Sequence, residues 1–414
     1  MNEATYDRVR LEQWRDGRAS GRGFTRRDLM RLAAAVGVGT ALGGGALGGG
    51  AAAGTARADG PIVKPLPPEL FTVFGTNAET RWEALRDTGY LVPVDRFFVR
   101  NHTSTPIIDP AAYRLRLFGS GLRAPAEFSL DQLRRLPQET ITAAVECAGN
   151  ARSFFTTQQG QTVSGTAWKL GAIGVGRWQG VRLGTVLRAA GLRRDAVDVQ
   201  PQGLDANFVS GGVDLGPVRR PLPVGKALDD VLLAWELNGA PLPPDHGAPL
   251  RVVVPSWIGI SSIKWVGAIE VAAEPLFSPW NTQFYRLFGA DHPADGTLID
   301  EQVVKSAFEL AWGATLPPAR TTLTGRSWSA NGPIRHVDVS TDGGTTWRRA
   351  RATGPNLPNA WQRWRIDWTP AGTGPHTLIA RATDVTGATH PATVPHNTLG
   401  YLFGAQVRHP VTVA

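Results

Sequence analysis

The stretch Thr142–Ser153, TAAVECAGNARS, decides how the chain is read. Its first half is an apolar run that predicts a strand ending at Cys147. Its second half turns through Ala148, Gly149 and Asn150 before reaching Arg152. A strand that stops at a small-residue turn presents its last side chain at a sheet end, where α/β proteins place their sites. Cys147 is the single cysteine among 414 residues, so no disulfide can form within the chain. Chemistry alone leaves it three roles: a buried apolar residue, a nucleophile, or a thiolate ligand for a soft or high-valent metal. Arg152 can lower the thiol pKa and hold an anion beside it.

Outward from this stretch the sequence divides in texture. Residues 59 to about 80 form an extended, proline-rich lead-in. YRLRLFG alternates as a strand, and SLDQLRRLP predicts a short helix capped by Ser129 and stopped by Pro137. RLGTVLRAAG predicts another helix closed by Gly191, and LRVVVP a buried strand. From about residue 305 strand signals dominate. RHVDVSTDGGTTWRRA reads as strand, turn at Asp342-Gly343-Gly344, strand, and RWRIDW and HTLIARATD alternate likewise. The expected class is α+β: a mixed α/β domain over 59–304, then a β-sandwich of roughly a hundred residues over 305–414.

The first 58 residues carry a different message. Thr25-Arg26-Arg27-Asp28-Leu29-Met30 is a twin-arginine stretch, followed by a weakly apolar Ala/Gly segment and by Ala56-Arg57-Ala58, a small-residue cleavage site. This order predicts a signal peptide over 1–58 rather than a transmembrane anchor, whose apolar run would not hold so many glycines. Twin-arginine export carries folded proteins and suits one that receives a cofactor in the cytoplasm. It predicts a periplasmic or other extracytoplasmic location. The segment has nine arginines against five acidic residues, so about half of the formal +8 belongs to it. What remains gives no basic footprint for nucleic acid.

Further basic residues cluster near predicted strand ends. FFVRNH places Arg100 and His102 after an apolar run, PDHGAPLRVVVP places His246 and Arg251 before one, and SSIKWVG contributes Lys264. Together with Arg152 they outline a cationic pocket for a phosphate-bearing cofactor and an oxyanion.

These pieces, taken with GTAWKLGAIGVGRWQG, LLAWELNGAPLPPDHGAPLRVVVP and VDVSTDGGTTW, resemble the sulfite oxidase family of molybdenum-cofactor enzymes, in family order over roughly residues 95–350. The resemblance implies a molybdopterin-binding domain of mixed α/β structure followed by an immunoglobulin-like domain that forms a homodimer. It makes Cys147 the protein thiolate on molybdenum. It assigns Arg100, Asn101, His102, Asp205, His246, Arg251, Ser262, Ile263 and Lys264 to molybdopterin. It assigns Arg100, Arg152, Trp168, Tyr285 and a C-terminal arginine to the substrate pocket; counting back from Pro370 in RWRIDWTP gives Arg363, with Arg365 as the alternative. Two departures bear on that pocket. Ala151 stands where the family often has the first of two adjacent arginines, and Trp235 where a tyrosine is common; the first makes the pocket less cationic.

The expected reaction is oxidation of sulfite to sulfate outside the cytoplasm. One cysteine forbids a Cys-x-x-Cys-His haem attachment, and no His-Pro-Gly-Gly stretch is present, so no haem is expected in this chain. Electrons would then leave singly to a separate acceptor, such as a c-type cytochrome. Two rival readings stand beside this one. The first is a member of the same family acting on another substrate, as a sulfane-sulfur dehydrogenase, a nitrate reductase or a sulfoxide reductase. The second is a non-enzymatic secreted protein with an immunoglobulin-like module.

Overall fold

The computed structural model describes residues 61–414; the twin-arginine stretch, the Ala/Gly segment and the cleavage site lie outside the described residues. Two β-rich halves meet along a shared apolar layer. The N-terminal half holds two five-stranded sheets. One is antiparallel and runs Ala240–Pro241, Leu232–Leu237, Ile173–Arg182, Gln138–Glu146, with Arg251–Val253 also paired to Leu232–Leu237. The other orders Leu222–Pro223, Asp198–Gly203, Val266–Ala272, Arg114–Phe118 and Ala126–Ser129, with one parallel pair between Val266–Ala272 and Arg114–Phe118. A small three-stranded sheet, Phe71–Phe74, Asn77–Thr80 and Val99–Arg100, carries the lead-in.

Helices are short and few, so the region expected as mixed α/β is mostly sheet. The helix at Leu130–Arg134 begins at Ser129, whose side chain accepts from the Gln132 N–H in a capping box. The helix at Leu183–Ala189 ends before Gly191, which takes a positive φ of 82°. The strand predicted at TAAVEC is longer than its apolar run. It spans Gln138–Glu146 and becomes buried only towards Cys147, pairing along its whole length with Ile173–Arg182.

The C-terminal half is a sandwich. Lys305–Phe308, Thr321–Trp328, Trp361–Trp368 and Arg351–Asn356 form one sheet. Ala314–Leu316, His409–Val413, Gly374–Asp384, Ile334–Ser340 and Arg348–Arg349 form the other. Leu323, Val337, Trp364, Leu378 and Val411 fill the space between them. A second core cluster bridges the halves: Val145, Cys147 and Phe154 share it with Trp328, Trp361 and Phe403. Among the described residues no helix is long and apolar enough to cross a membrane.

Candidate active site

A cleft of about 710 Å³ opens beside the end of the Gln138–Glu146 strand. Cys147, the residue immediately after that strand, lines it with a buried thiol. The backbone N–H of Cys147 donates to the Ala172 carbonyl at 3.0 Å, and the Asn150 N–H returns to the Cys147 carbonyl at 2.9 Å, closing the turn read from the sequence. The same cleft is lined by Arg100, Asn101, His102, Asp205, His246, Arg251, Ser262, Ile263, Lys264 and Tyr285. These positions come from five separate segments, brought together because both five-stranded sheets end here.

The cations of this cleft are held by carbonyls, an amide and an aromatic ring rather than by direct ion pairs, although Asp205 and Asp245 line the same wall. Arg251 lies over the Trp178 ring at 4.8 Å and donates only to backbone carbonyls, His246 at 2.9 Å, Ser262 at 3.2 Å and Val252 at 3.3 Å. Burial pulls its pKa down to about 9. Lys264 donates to the Asp245 carbonyl at 2.8 Å and to the Asn101 side-chain oxygen. Burial, with Arg251 nearby, holds it well below the ordinary lysine value. His102 accepts from Trp280 Nε1 at 3.0 Å, and both His102 and His246 are driven well below the usual imidazole value by burial. Among the lining residues, Arg100 Nη1 and His246 Nε2 are buried with no hydrogen-bond partner. Asp205 is pushed up to about 6 by burial. The sequence reading missed Asp245 and Trp265 on this wall. Asp245 is pinned by the backbone N–H groups of Val63 and Lys64 at 2.9 and 2.7 Å.

A smaller chamber of about 450 Å³ lies on the far side of Cys147 and shares Arg100, Cys147 and Tyr285 with the cleft. Arg152, Trp168, Phe284, Leu399 and Tyr401 complete most of its wall. Arg152 is buried, donating from Nε to the Leu399 carbonyl at 2.9 Å and from Nη1 to the Thr166 carbonyl at 3.0 Å; neither bond uses Nη2. Three glycines make the slot it occupies. A Cβ on Gly149 would come within 2.5 Å of its guanidinium, one on Gly165 within 2.8 Å, and one on Gly400 within 2.7 Å of its Cγ. Its guanidinium sits 5.2 Å from the Tyr401 ring, which stacks on Tyr285 at 5.1 Å between centroids. Tyr285 adopts a left-handed backbone with φ 56°, and burial raises its phenol pKa above the ordinary value.

The C-terminal arginine is not part of this chamber. Arg363 lies within the sandwich strand Trp361–Trp368, opposite Arg326 on one side and Thr353 on the other. Arg365, two residues along the same face, is exposed and pairs with Thr324 and Arg351. Their register in the sheet keeps both away from Cys147. The C-terminal residues that do reach the chamber are Leu399 and Tyr401, which sequence reasoning missed. They sit on an irregular segment with no strand periodicity, folded by Asn397, whose Oδ1 and Nδ2 bond the Tyr401 N–H and carbonyl at 2.8 and 2.9 Å. The Asn-x-x-Gly-Tyr spacing was the available signal, since it is a turn pattern rather than a strand.

Two β-rich halves and a basic cleft at a buried thiol define a class, a protein built to hold an anionic cofactor. Residues 102–280 match the family model of an oxidoreductase molybdopterin binding domain, and residues 304–413 that of a Mo-co oxidoreductase dimerisation domain. The chain is 33% identical over 295 residues to the sulfite oxidase of Arabidopsis thaliana, covering 67% of this chain and 74% of that protein. It is 37% identical over 358 residues to the mitochondrial sulfite oxidase of Macaca fascicularis, covering 82% of this chain and 64% of that one. The chain belongs to the sulfite oxidase family. It spans less than two thirds of the length of the mammalian relatives. Among solved structures, the sulfane dehydrogenase SoxCD from Paracoccus pantotrophus superposes with a TM-score of 0.69 at 28% identity, over 83% of this chain and 85% of that one.

The cleft fits a molybdopterin. Buried cations held without a direct ion pair and two unpartnered polar atoms are what a phosphate-bearing, hydrogen-bonding ligand would satisfy. Among the described residues no three His, Cys, Asp or Glu side chains gather to hold a metal, so Cys147 would be one ligand beside donors that the cofactor brings. Arg100, His246, Arg251 and Lys264 would hold the anionic end, and Cys147 the metal. When bound, molybdenum supplies two-electron oxo-transfer chemistry. The chain's own residues supply the rest. Arg100 and Arg152 would face an incoming anion, Trp168 and Phe284 would limit water at its approach, and the Tyr285 phenol, held protonated by burial, would be free to donate a hydrogen bond at the junction of the two chambers.

Proposed function

We propose that this protein oxidises sulfite to sulfate at a molybdenum centre held by molybdopterin and Cys147. The observation that carries the reading is the small chamber, where Arg100 and Arg152 stand beside the Cys147 thiol. A dianion entering a buried site loses most of its hydration, and two guanidiniums offset that cost. Membership of the sulfite oxidase family supports the same substrate class. In this reading the C-terminal domain makes a homodimer, in line with the dimerisation module it matches. Electrons leave singly to a separate protein acceptor such as a c-type cytochrome. The twin-arginine stretch directs the folded, cofactor-loaded protein out of the cytoplasm through the twin-arginine export machinery.

A second reading within the family has one specific observation behind it. Leu399 and Tyr401 make the C-terminal wall of the chamber neutral and aromatic, which suits a longer, less charged sulfur substrate, and the SoxCD likeness points the same way. The deciding experiment measures molybdenum per chain and then cytochrome c reduction with sulfite, with a sulfane-sulfur donor and, in the reverse sense, with nitrate as oxidant. About one molybdenum per chain and sulfite as the best reductant support the proposal. A sulfane donor outrunning sulfite favours the second reading, and absence of molybdenum overturns both.

A further inference from the structure

The turn that presents Cys147 is held from the other domain. Glu146, the residue before it, is 2% exposed, and each carboxylate oxygen is engaged. Oε1 accepts from Lys305 Nζ at 2.7 Å and from Asn150 Nδ2 at 2.9 Å. Oε2 accepts from Trp328 Nε1 at 2.9 Å. Lys305 also donates to the Asn150 carbonyl at 3.1 Å. Asn150 completes the frame, its Oδ1 accepting the Ala172 N–H at 3.0 Å while the Ala172 carbonyl takes the Cys147 N–H at the same distance. Lys305 and Trp328 lie on adjacent strands of the C-terminal sandwich, opposite each other in register.

A buried ion pair adds little stability over well-packed apolar side chains of similar volume, but its geometry is exacting. Here that geometry converges on the backbone of one residue and on the amide that closes its turn. We propose that Lys305 and Trp328 are positioning residues for Cys147: through Glu146 and Asn150 the C-terminal domain fixes the orientation of the thiol at the junction of the two chambers. The domain is thereby a working half of the metal site as well as a dimerisation module. The proposal rests on the reading of Cys147 as the metal ligand. Partners that orient a ligand from behind typically matter ten- to a hundredfold in activity or metal affinity.

Trp328→Phe is the informative variant, because it keeps an aromatic ring beside Trp82 and removes the indole N–H that Glu146 accepts, together with part of a buried ring whose loss the comparator shares. Trp364→Phe is its comparator, removing an indole bond to Ser327 Oγ at 2.9 Å elsewhere in the same sheet without touching Glu146. On the full chain, Trp328→Phe is expected to lower kcat roughly tenfold or more with KM little changed. Amide exchange across residues 147–152 should speed up, while Trp364→Phe changes neither. If Trp328→Phe is not recovered folded, Lys305→Gln carries the same expectation, and Lys305→Arg should restore the protection. Wild-type kcat with wild-type exchange in Trp328→Phe overturns the proposal, as do equal losses in Trp364→Phe. Failure of the ligand reading is distinguishable, since it shows as turnover surviving in Cys147→Ser, whereas the exchange measurement reads the turn itself.

Discussion

Buried charge is handled in opposite ways in two regions of this molecule. Three buried cations away from the cleft have carboxylates: Arg326 with Glu309 at 2.6 Å and Lys305 with Glu146 at 2.7 Å, where the halves meet, and Arg220 with Asp300 at 2.6 Å within the N-terminal half. In the cleft beside Cys147, Arg251 and Lys264 form no such ion pair and meet carbonyls and an amide instead. Taking a charge out of water costs several kcal/mol unless a counter-charge is present. The junction meets that cost within the chain. In the cleft, carbonyls, an amide and the nearby charges of Asp205 and Asp245 offset part of it, and a bound anion would offset more. The difference separates structural charge from charge that awaits a ligand.

The sharpest break of this comparison is at the thiol. Cys147→Ser replaces a soft donor with a hard, weaker one while leaving the basic cleft intact. Turnover is expected to fall to near background, with molybdopterin still retained by the cations. Molybdenum and pterin content measured beside kcat checks it, and wild-type turnover would return Cys147 to the role of a buried apolar residue.

On the structural side, Arg326→Met tests the paired region. Arg326 is fully buried, and besides Glu309 it donates to the Leu85 carbonyl and Thr88 Oγ1, both at 2.9 Å, so it ties the sandwich to the catalytic half. Removing it strands the Glu309 carboxylate, and a loss of about 3–5 kcal/mol in unfolding free energy is expected. Denaturant midpoints for Arg326→Met and for the double variant Arg326→Met/Glu309→Met measure it. The double variant should recover much of the loss, because a matched apolar pair leaves no orphan charge.

Some of this contrast was legible from sequence and some was not. The turn at Cys147, the Ser129 cap and the Gly191 stop follow from local chemistry, so a short window contains them. The cationic cleft was legible because each contributor sits next to an apolar run that ends at the same edge. Arg363 was misplaced because its position depends on pairing with strands tens of residues away, and no local signal fixes that register. Leu399 and Tyr401 went unseen because an irregular segment has no periodicity to read. The carboxylate partners were illegible for the same reason: Glu146 and Lys305 are far apart in sequence and meet only through the packed domains.

Glu79 is a third case, a buried carboxylate with a backbone donor, the Lys169 N–H at 2.8 Å. Burial raises its pKa from 4.5 to about 7. The folded state therefore binds this proton more tightly than the unfolded one. Its contribution is fully present below pH 4.5 and is lost as pH rises through about 7. The expected size is roughly 3 kcal/mol at most. Glu79→Gln should flatten unfolding free energy across that window, and a slope unchanged by the substitution would assign the pH dependence to other groups.

The smallest expected effect refines the comparison most, because Arg152 belongs to neither region. Its charge is buried, yet its partners are two carbonyls, the Tyr401 ring and a slot of three glycines, none of which cancels it. The slot fixes the guanidinium while leaving Nη2 outside both carbonyl bonds, so under the proposed function Nη2 would meet an oxyanion in the small chamber. Arg152→Gln removes a charge-assisted contact made to substrate and transition state alike. The loss should be about 1.5–3 kcal/mol, or ten- to a hundredfold in kcat/KM, carried mostly by KM. Molybdenum content should stay near wild type, since Arg152 does not line the large cleft. Arg100→Gln is the contrast: Arg100 lines both chambers, so metal content and KM should suffer together. Steady-state sulfite kinetics with a one-electron acceptor, normalised to bound molybdenum, separates the two. An unchanged sulfite KM in Arg152→Gln would make this arginine a brace for the Leu399–Tyr401 segment and would move the substrate towards a less charged sulfur compound.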